Sequence, residues 1–314
     1  MKIMVYEARP DERADLEKQA ALHGVELSVT DAVPTLENAS LAAVCIGVSI
    51  LGQGCIDAAL LDAYHALGIR YLSTRTIGYD HIDLDHARSI GLRVCSASYA
   101  PNGVADFTVM MILMCLRHYK QALWRGQVND FSLTGLQGRE MKDLTIGIIG
   151  TGRIGAQVAR NLSGFGCRIL AYDLRRNPAV EPQVTYVDFD TLLAQSDVIT
   201  LHMPLLDSNR HIINRESIAK MRDGVVIVNC SRGELADIEA LIEGIETGKI
   251  GALGMDTVEG DEGIIHADHR VDILPNRNWF YLHQFRNVIM TQHMAFYTDA
   301  AVSLSDGRRR VLSH

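Results

Sequence analysis

The sequence predicts an α/β protein made of two doubly wound parallel-sheet domains. Three observations predict it: two successive trains of short strand-like runs alternating with helical segments, a glycine-rich turn between a strand and a helix early in the second train, and a Pro101-Asn102-Gly103 break between the trains. With 314 residues, 47% of them hydrophobic and 22% charged, the chain can fill two cores without help from metals or disulfides.

In the first train the strands are expected at KIMVYE (2–7), VELSVT (25–30), AAVCIG (42–47), RYLSTR (70–75) and RVCSA (93–97). They are rich in β-branched and aromatic residues and bounded by turn residues. Helices fall between them, as at 57–67, where Gly68 is placed to close the helix as a left-handed cap. The chain is expected to cross between domains near residue 99, giving one domain from 1–98 with 295–314 and another from 99–294. The segment Val104 to Leu116 that follows is apolar on nearly every side, which implies burial on more than one face, inside the domain or against a second subunit. A homodimer is therefore expected. The second train places strands near 144–149, 168–172, 197–201, 225–229, 250–255 and 287–291.

Composition excludes several functions. A net charge of −8 disfavours a nucleic-acid surface. The six cysteines are scattered with no CxxC pair, so neither a metal site nor a disulfide framework is expected. The N-terminus enters a strand at once instead of a signal sequence, and the longest apolar run, 107–116, is too short to span a bilayer. A soluble, cytoplasmic protein without membrane partners is the expectation.

The turn Gly150-Thr151-Gly152-Arg153-Ile154-Gly155 follows the apolar run 144–149 directly and opens a helix. A lone GxGxxG is weak evidence, but this context is the one a dinucleotide fingerprint requires. Gly150 allows the tight turn, Gly152 leaves bare backbone for a pyrophosphate, and Gly155 lets helix and strand pack closely. The helix N-terminus supplies N–H donors and a positive dipole end. Asp173 closes the next strand about twenty residues on, where a carboxylate binds ribose hydroxyls and repels a 2′-phosphate. This points to NAD in a Rossmann domain; Arg175 and Arg176 stand close enough to keep NADP open.

Three further features follow strands of the same predicted sheet: Arg232 after VVIVN, the acidic run Asp256 to Glu262 after IGALGM, and His293 after VIM. Singly, each reads more readily as a surface cation, a solvated loop or one histidine among twelve. Together they face the crevice where a doubly wound sheet binds its ligand.

The ordered motifs GTGRIG, ITLHMPL, VNCSRGELAD, GMDTVEGDE and QHMAFYT resemble the D-2-hydroxyacid dehydrogenases, most closely their D-lactate and D-2-hydroxyisocaproate branch. STRTIGYDHID (73–83) is similar to the D-lactate dehydrogenases of vancomycin-resistance operons. The resemblance covers about residues 1 to 300 and implies a flavodoxin-like substrate domain beside the NAD domain. It implies that Arg232 orients a 2-oxo acid, that His293 is the acid/base, and that a carboxylate of the acidic run pairs with His293. It further implies that Asp256 meets the nicotinamide carboxamide and that backbone N–H groups near Ile77 and Gly78 hold the substrate carboxylate. Tyr99 and Phe296 would wall the side-chain pocket, and Arg153, Ile154, His202, Pro204 and Cys230 would complete the cofactor-binding set. Chemistry agrees with this: reducing a ketone by hydride needs a proton for the developing alkoxide, and an imidazolium with a carboxylate partner keeps one available near neutral pH.

Two departures stand out. The position usually Glu in that family, five after Asp256, is Asp261 here, with Glu262 beside it; Asp261 is the expected partner. Where relatives continue with a long amphipathic helix, the polar stretch 305–310 and His314 leave room only for a short return. The expected reaction is NADH-dependent reduction of a small or medium apolar 2-oxo acid, of pyruvate, 2-oxoisocaproate or phenylpyruvate type, to the D-2-hydroxy acid. A phosphoglycerate or glycerate dehydrogenase, or an NAD-sensing binding protein, are the alternatives.

Overall fold

The computed structural model describes residues 1–274, 276–302 and the backbone of 309–311. Most of the polar stretch 305–310, and His314, lie outside the described residues. The chain divides into two compact units, Met1–Ala100 with the chain from Tyr297 onward, and Pro101–Phe296.

In the first unit β1 (Lys2–Val5), β2 (Glu26–Val29), β3 (Gly47–Ile50), β4 (Tyr71–Thr74) and β5 (Arg93–Ala97) form a parallel sheet in the order β5-β4-β3-β1-β2. The winding direction reverses between β1 and β3. Asp57 caps the helix Ala58–Ala66 through the Leu60 N–H, and Gly68 takes a left-handed φ of 84° just beyond it, as its position in the sequence suggests. The third strand differs from expectation. Residues Ala39–Ala42 form a 3₁₀ turn, and Val44 is exposed with a φ of 63°, so the ladder starts only at Gly47, opposite Tyr71. The apolar run there continues to Leu51, and pairing with β1 and β4 selects its second half.

The second unit carries β6 (Thr145–Ile149), β7 (Arg168–Tyr172), β8 (Thr185–Tyr186), β9 (Val198–Leu201), β10 (Val225–Asn229), β11 (Ile250–Met255) and β12 (Val288–Met290), in the order β12-β11-β10-β9-β6-β7-β8. All its pairings are parallel. Strands β6, β9 and β10 are buried along their whole length, as apolar runs covered by helices on both faces must be. The two-residue β8 carries too little pattern to be seen in sequence. The sheet reverses between β6 and β9, which puts the glycine turn at the switch point. A last strand, β13 (Arg309–Val311), runs antiparallel to β5 in the first unit.

The apolar helix runs Asn102–Leu116, starting two residues earlier than expected, with Pro101 as its N-cap. Ala105, Met111 and Ile112 are fully buried in the core between this helix and the sheet. Its other side reaches the surface at Asp106 and Met110. Among the described residues no helix is long and apolar enough to cross a membrane.

Candidate active site

At the switch point, Gly150 adopts a φ of 94°, and a Cβ on it would lie 2.7 Å from the His202 carbonyl oxygen, so the end of β9 packs directly on the turn. A Cβ on Gly155 would run into the Gly150 carbonyl. Gly152 is different: nothing lies within 4 Å of the position a Cβ would take, and it caps the helix Arg153–Ser163 without a side-chain bond. Two glycines thus make the turn compact, and the third keeps open the space before a helix N-terminus carrying Arg153 and Ile154. Beside it, Asp173 Oδ2 accepts from the Thr151 N–H at 2.6 Å and the Thr151 hydroxyl at 3.0 Å. A helix N-terminus with clear space before it and a carboxylate beside it are what a dinucleotide's pyrophosphate and ribose require, so the turn fits that cofactor.

Beyond β9, His202 Nε2 pairs with the Thr200 hydroxyl at 3.0 Å, while its Nδ1 is buried without a hydrogen bond among the described residues. Burial pushes the imidazole down to about 3, so it is neutral. The Pro204 carbonyl accepts from Asn209 Nδ2 at 2.8 Å. Cys230, at the end of β10, is buried among apolar neighbours, which pushes its thiol far up and leaves it protonated.

The next three strand ends carry the expected chemical groups. After β10, the buried Asn229 stitches the loop: Oδ1 accepts from the Ser231 N–H at 3.0 Å and Nδ2 donates to the Arg232 carbonyl at 2.7 Å. Arg232 Nη1 donates to the Ser231 carbonyl at 2.9 Å. Gly233, which sequence reasoning passed over, lets this loop lie flat on the acidic one; a Cβ there would overlap the backbone of Val258 and Glu259.

After β11, Asp256 is 1% exposed. Its Oδ1 accepts from the Thr291 hydroxyl at 2.6 Å and the Met294 N–H at 2.9 Å, and its Oδ2 from the Ala295 N–H at 2.8 Å. One carboxylate therefore grips both sides of the turn bearing His293, whose φ of 53° is unusual for a non-glycine residue. The His293 ring stands 6.4 Å from the Phe296 ring, edge-on, and 6.1 Å from that of His266. His266 Nε2 in turn donates to the His293 carbonyl at 3.2 Å. Neither Thr291 nor His266 carried a signal in sequence, because their partners become neighbours only when β11 and β12 pair.

The acidic run splits by environment. Glu259 pairs with Arg210 and His211, each at 2.7 Å. Asp261 is half-buried, and burial pushes its carboxyl up to about 7; the Val258 N–H bond opposes this, while the charges of Glu262, Glu234 and Asp256 add to it. Glu262 stays exposed.

In the first unit, Ile77 and Gly78 follow β4 and Tyr99 follows β5. The Thr76 hydroxyl donates to the Gly78 carbonyl at 2.6 Å. Beneath this loop lies a cluster that the sequence did not announce. Glu7 accepts from the backbone N–H groups of Leu51, Gly52, Gln53 and Gly54. The buried Arg75 donates to the Glu7 carbonyl at 2.9 Å, the Tyr6 carbonyl at 3.0 Å and the Ser49 hydroxyl at 3.2 Å. The ends of β1, β3 and β4 are tied together at the switch point of their sheet.

Comparison with known proteins identifies the lineage. Residues 109–295 match the family model for the D-isomer specific 2-hydroxyacid dehydrogenase, NAD binding domain. An aromatic 2-oxoacid reductase of Clostridium sporogenes is 41% identical over 307 residues, covering 96% of this chain and 92% of that protein. The pyruvate reductase of Chlamydomonas reinhardtii superposes with a TM-score of 0.86 at 35% identity, over 96% of this chain and 92% of that one. The NAD-complexed D-isomer specific 2-hydroxyacid dehydrogenase of Lactobacillus delbrueckii ssp. bulgaricus superposes with a TM-score of 0.80 at 30% identity, over 96% and 93%. With its glycine turn, its two parallel sheets and relatives aligned along nearly its whole length, the chain belongs to the D-isomer specific 2-hydroxyacid dehydrogenases, NAD-dependent oxidoreductases.

Proposed function

We propose that this enzyme reduces small or medium apolar 2-oxo acids, of pyruvate, 2-oxoisocaproate or phenylpyruvate type, to their D-2-hydroxy acids. The observation that carries the reading is the His293 turn, whose backbone is held by Asp256 and whose imidazole stands beside the Phe296 ring. An apolar ring beside the acid/base suits an apolar side chain on the substrate better than a second carboxylate or a phosphate. The similar proteins named for aromatic 2-oxo acids and for pyruvate support the same range.

In this reading Gly150, Gly152 and Gly155 with Arg153 and Ile154 hold the pyrophosphate, Asp173 holds the ribose, and His202, Pro204 and Cys230 line the cofactor's side of the crevice. NADH supplies the hydride. Arg232 clamps the 2-oxo acid with its planar fork, and His293 gives the proton to the oxygen that becomes the hydroxyl. Asp261 is its carboxylate partner in this reading, as the half-buried carboxyl of the pair whose neighbour Glu262 is exposed. Asp256, spent on the His293 turn, orients the acid/base as well as bordering the nicotinamide.

Following NADH consumption with a panel of 2-oxo acids tests the reading. Turnover of pyruvate, 2-oxoisocaproate or phenylpyruvate is expected; consumption with hydroxypyruvate alone, or with no acid, overturns it. Gly155→Ala tests the turn, since its methyl must push the Gly150 carbonyl aside. A loss of about 1–3 kcal/mol in stability, seen in melting, with weakened NADH binding is expected, and unchanged NADH binding would count against the turn as the pyrophosphate site.

The same proposal has the enzyme working as a cytoplasmic homodimer. Met110, Leu123, Trp124, Phe131 and Leu133 are all exposed, large apolar side chains of the kind that a second copy would cover. Sedimentation at working concentration is expected to give twice the chain mass, and a monomer would refute the dimer.

A further inference from the structure

Asp173 is followed by two cations, Arg175 and Arg176, which by charge alone would welcome the 2′-phosphate of NADP. Arg176 is already engaged: its guanidinium carbon stands 5.5 Å over the centroid of the Tyr186 ring. Tyr186 lies on β8, opposite Ala171 of β7. Its hydroxyl donates to the Thr151 hydroxyl at 2.8 Å, which donates to Asp173 Oδ2 at 3.0 Å. The same Tyr186 oxygen accepts from the Asn177 N–H at 2.9 Å, and Asn177 Nδ2 donates to the Thr151 carbonyl at 2.8 Å. Thr151 itself is 1% exposed. One side chain thus serves two ends, its face occupying the cation and its hydroxyl bracing the residue that holds the carboxylate.

We propose that Tyr186 is a specificity-determining residue that sets this enzyme's preference for NAD over NADP, by keeping Arg176 on its ring and Asp173 fixed through Thr151. A 2′-phosphate needs a free cation and tolerates no fixed carboxylate beside it. Tyr186 occupies Arg176, one of the two cations, and secures the carboxylate. This role of Tyr186 rests on the proposed role of Asp173 as the ribose-binding residue.

Equilibrium binding of NADH and NADPH, read from nicotinamide fluorescence on the purified enzyme, tests it without turnover. Tyr186→Ala is expected to move the ratio of the two dissociation constants toward NADPH by about five-fold or more, the order of an exposed cation–π contact together with a loosened carboxylate. Adding Arg176→Ala to that variant should withdraw the gain in NADPH binding. Tyr186→Phe, which keeps the face and loses the hydroxyl, should weaken NADH while Arg176 stays held. Arg176→Ala alone should leave the ratio as it is in the wild type. An unchanged ratio in Tyr186→Ala, or a marked loss of NADPH binding in Arg176→Ala alone, overturns the proposal, and the second holds even if Tyr186→Ala does not fold. Asp173→Ala separates the two levels: if it leaves NADH binding intact, the ribose reading has failed, whatever Tyr186 does.

Discussion

Alanine in place of His293 is expected to lower kcat for 2-oxo acid reduction by about two to four orders of magnitude, the usual worth of a positioned proton donor, while NADH binds as before. The separation follows from geometry. His293 projects from a turn after β12, and the glycine turn that receives the cofactor follows β6, with β9, β10 and β11 between them. Asp256 grips this turn through the Thr291 hydroxyl and through the N–H groups of Met294 and Ala295, none of which an alanine at 293 removes. The turn therefore persists and only the proton donor is lost. Steady-state rates with saturating acid, beside a fluorescence titration with NADH, check both halves. Near-normal turnover would take His293 out of the mechanism; loss of NADH affinity equal to the loss of rate would make its role structural.

The second large effect is expected at Asp261, compared with its neighbour. Asp261→Asn should reduce the rate and lower the apparent pKa of the acid/base by about one unit or more, because an imidazolium loses its carboxylate partner. Glu262→Gln should change either by less than two-fold. A stability readout accompanies this. The carboxyl of Asp261 is raised from an ordinary 3.8 to about 7 in the fold, so between these values the native state binds more protons than the unfolded chain. The resulting stabilisation is complete below the lower value and is lost as pH rises through about 7. Asparagine has no such dependence, so the variant should gain in melting temperature over the wild type at pH 8 and show no such gain at pH 4. Given the partial exposure of the group, the gain should be of order 1 kcal/mol. Equal, small rate effects at both positions, with no pH-dependent gain, would discard Asp261 as the partner.

Much of the architecture is legible in the sequence. Strand runs at 93–97, 168–172, 225–229 and 250–255 fall where the sheets have them, because each is an apolar stretch between turn residues and needs only local pattern to be recognised. The glycine turn was legible for the same reason, since six consecutive residues carry its geometry. The strand expected at 42–47 lies at Gly47–Ile50 because a longer apolar run offers two registers and only β1 and β4 choose between them.

The sequence alone determined the fold class, the dinucleotide turn and the strand ends on which the candidate catalytic groups stand. Tertiary structure decided their surroundings: that Asp261 is half-buried where Glu262 is exposed, that Asp256 braces the His293 turn, that Glu7 ties down residues more than forty positions away, and that Tyr186 holds Arg176. Asp261 and Glu262 are adjacent and chemically alike in the sequence. Burial separates them, and burial is a property of what the rest of the chain packs against each carboxylate, which no local pattern of residues encodes.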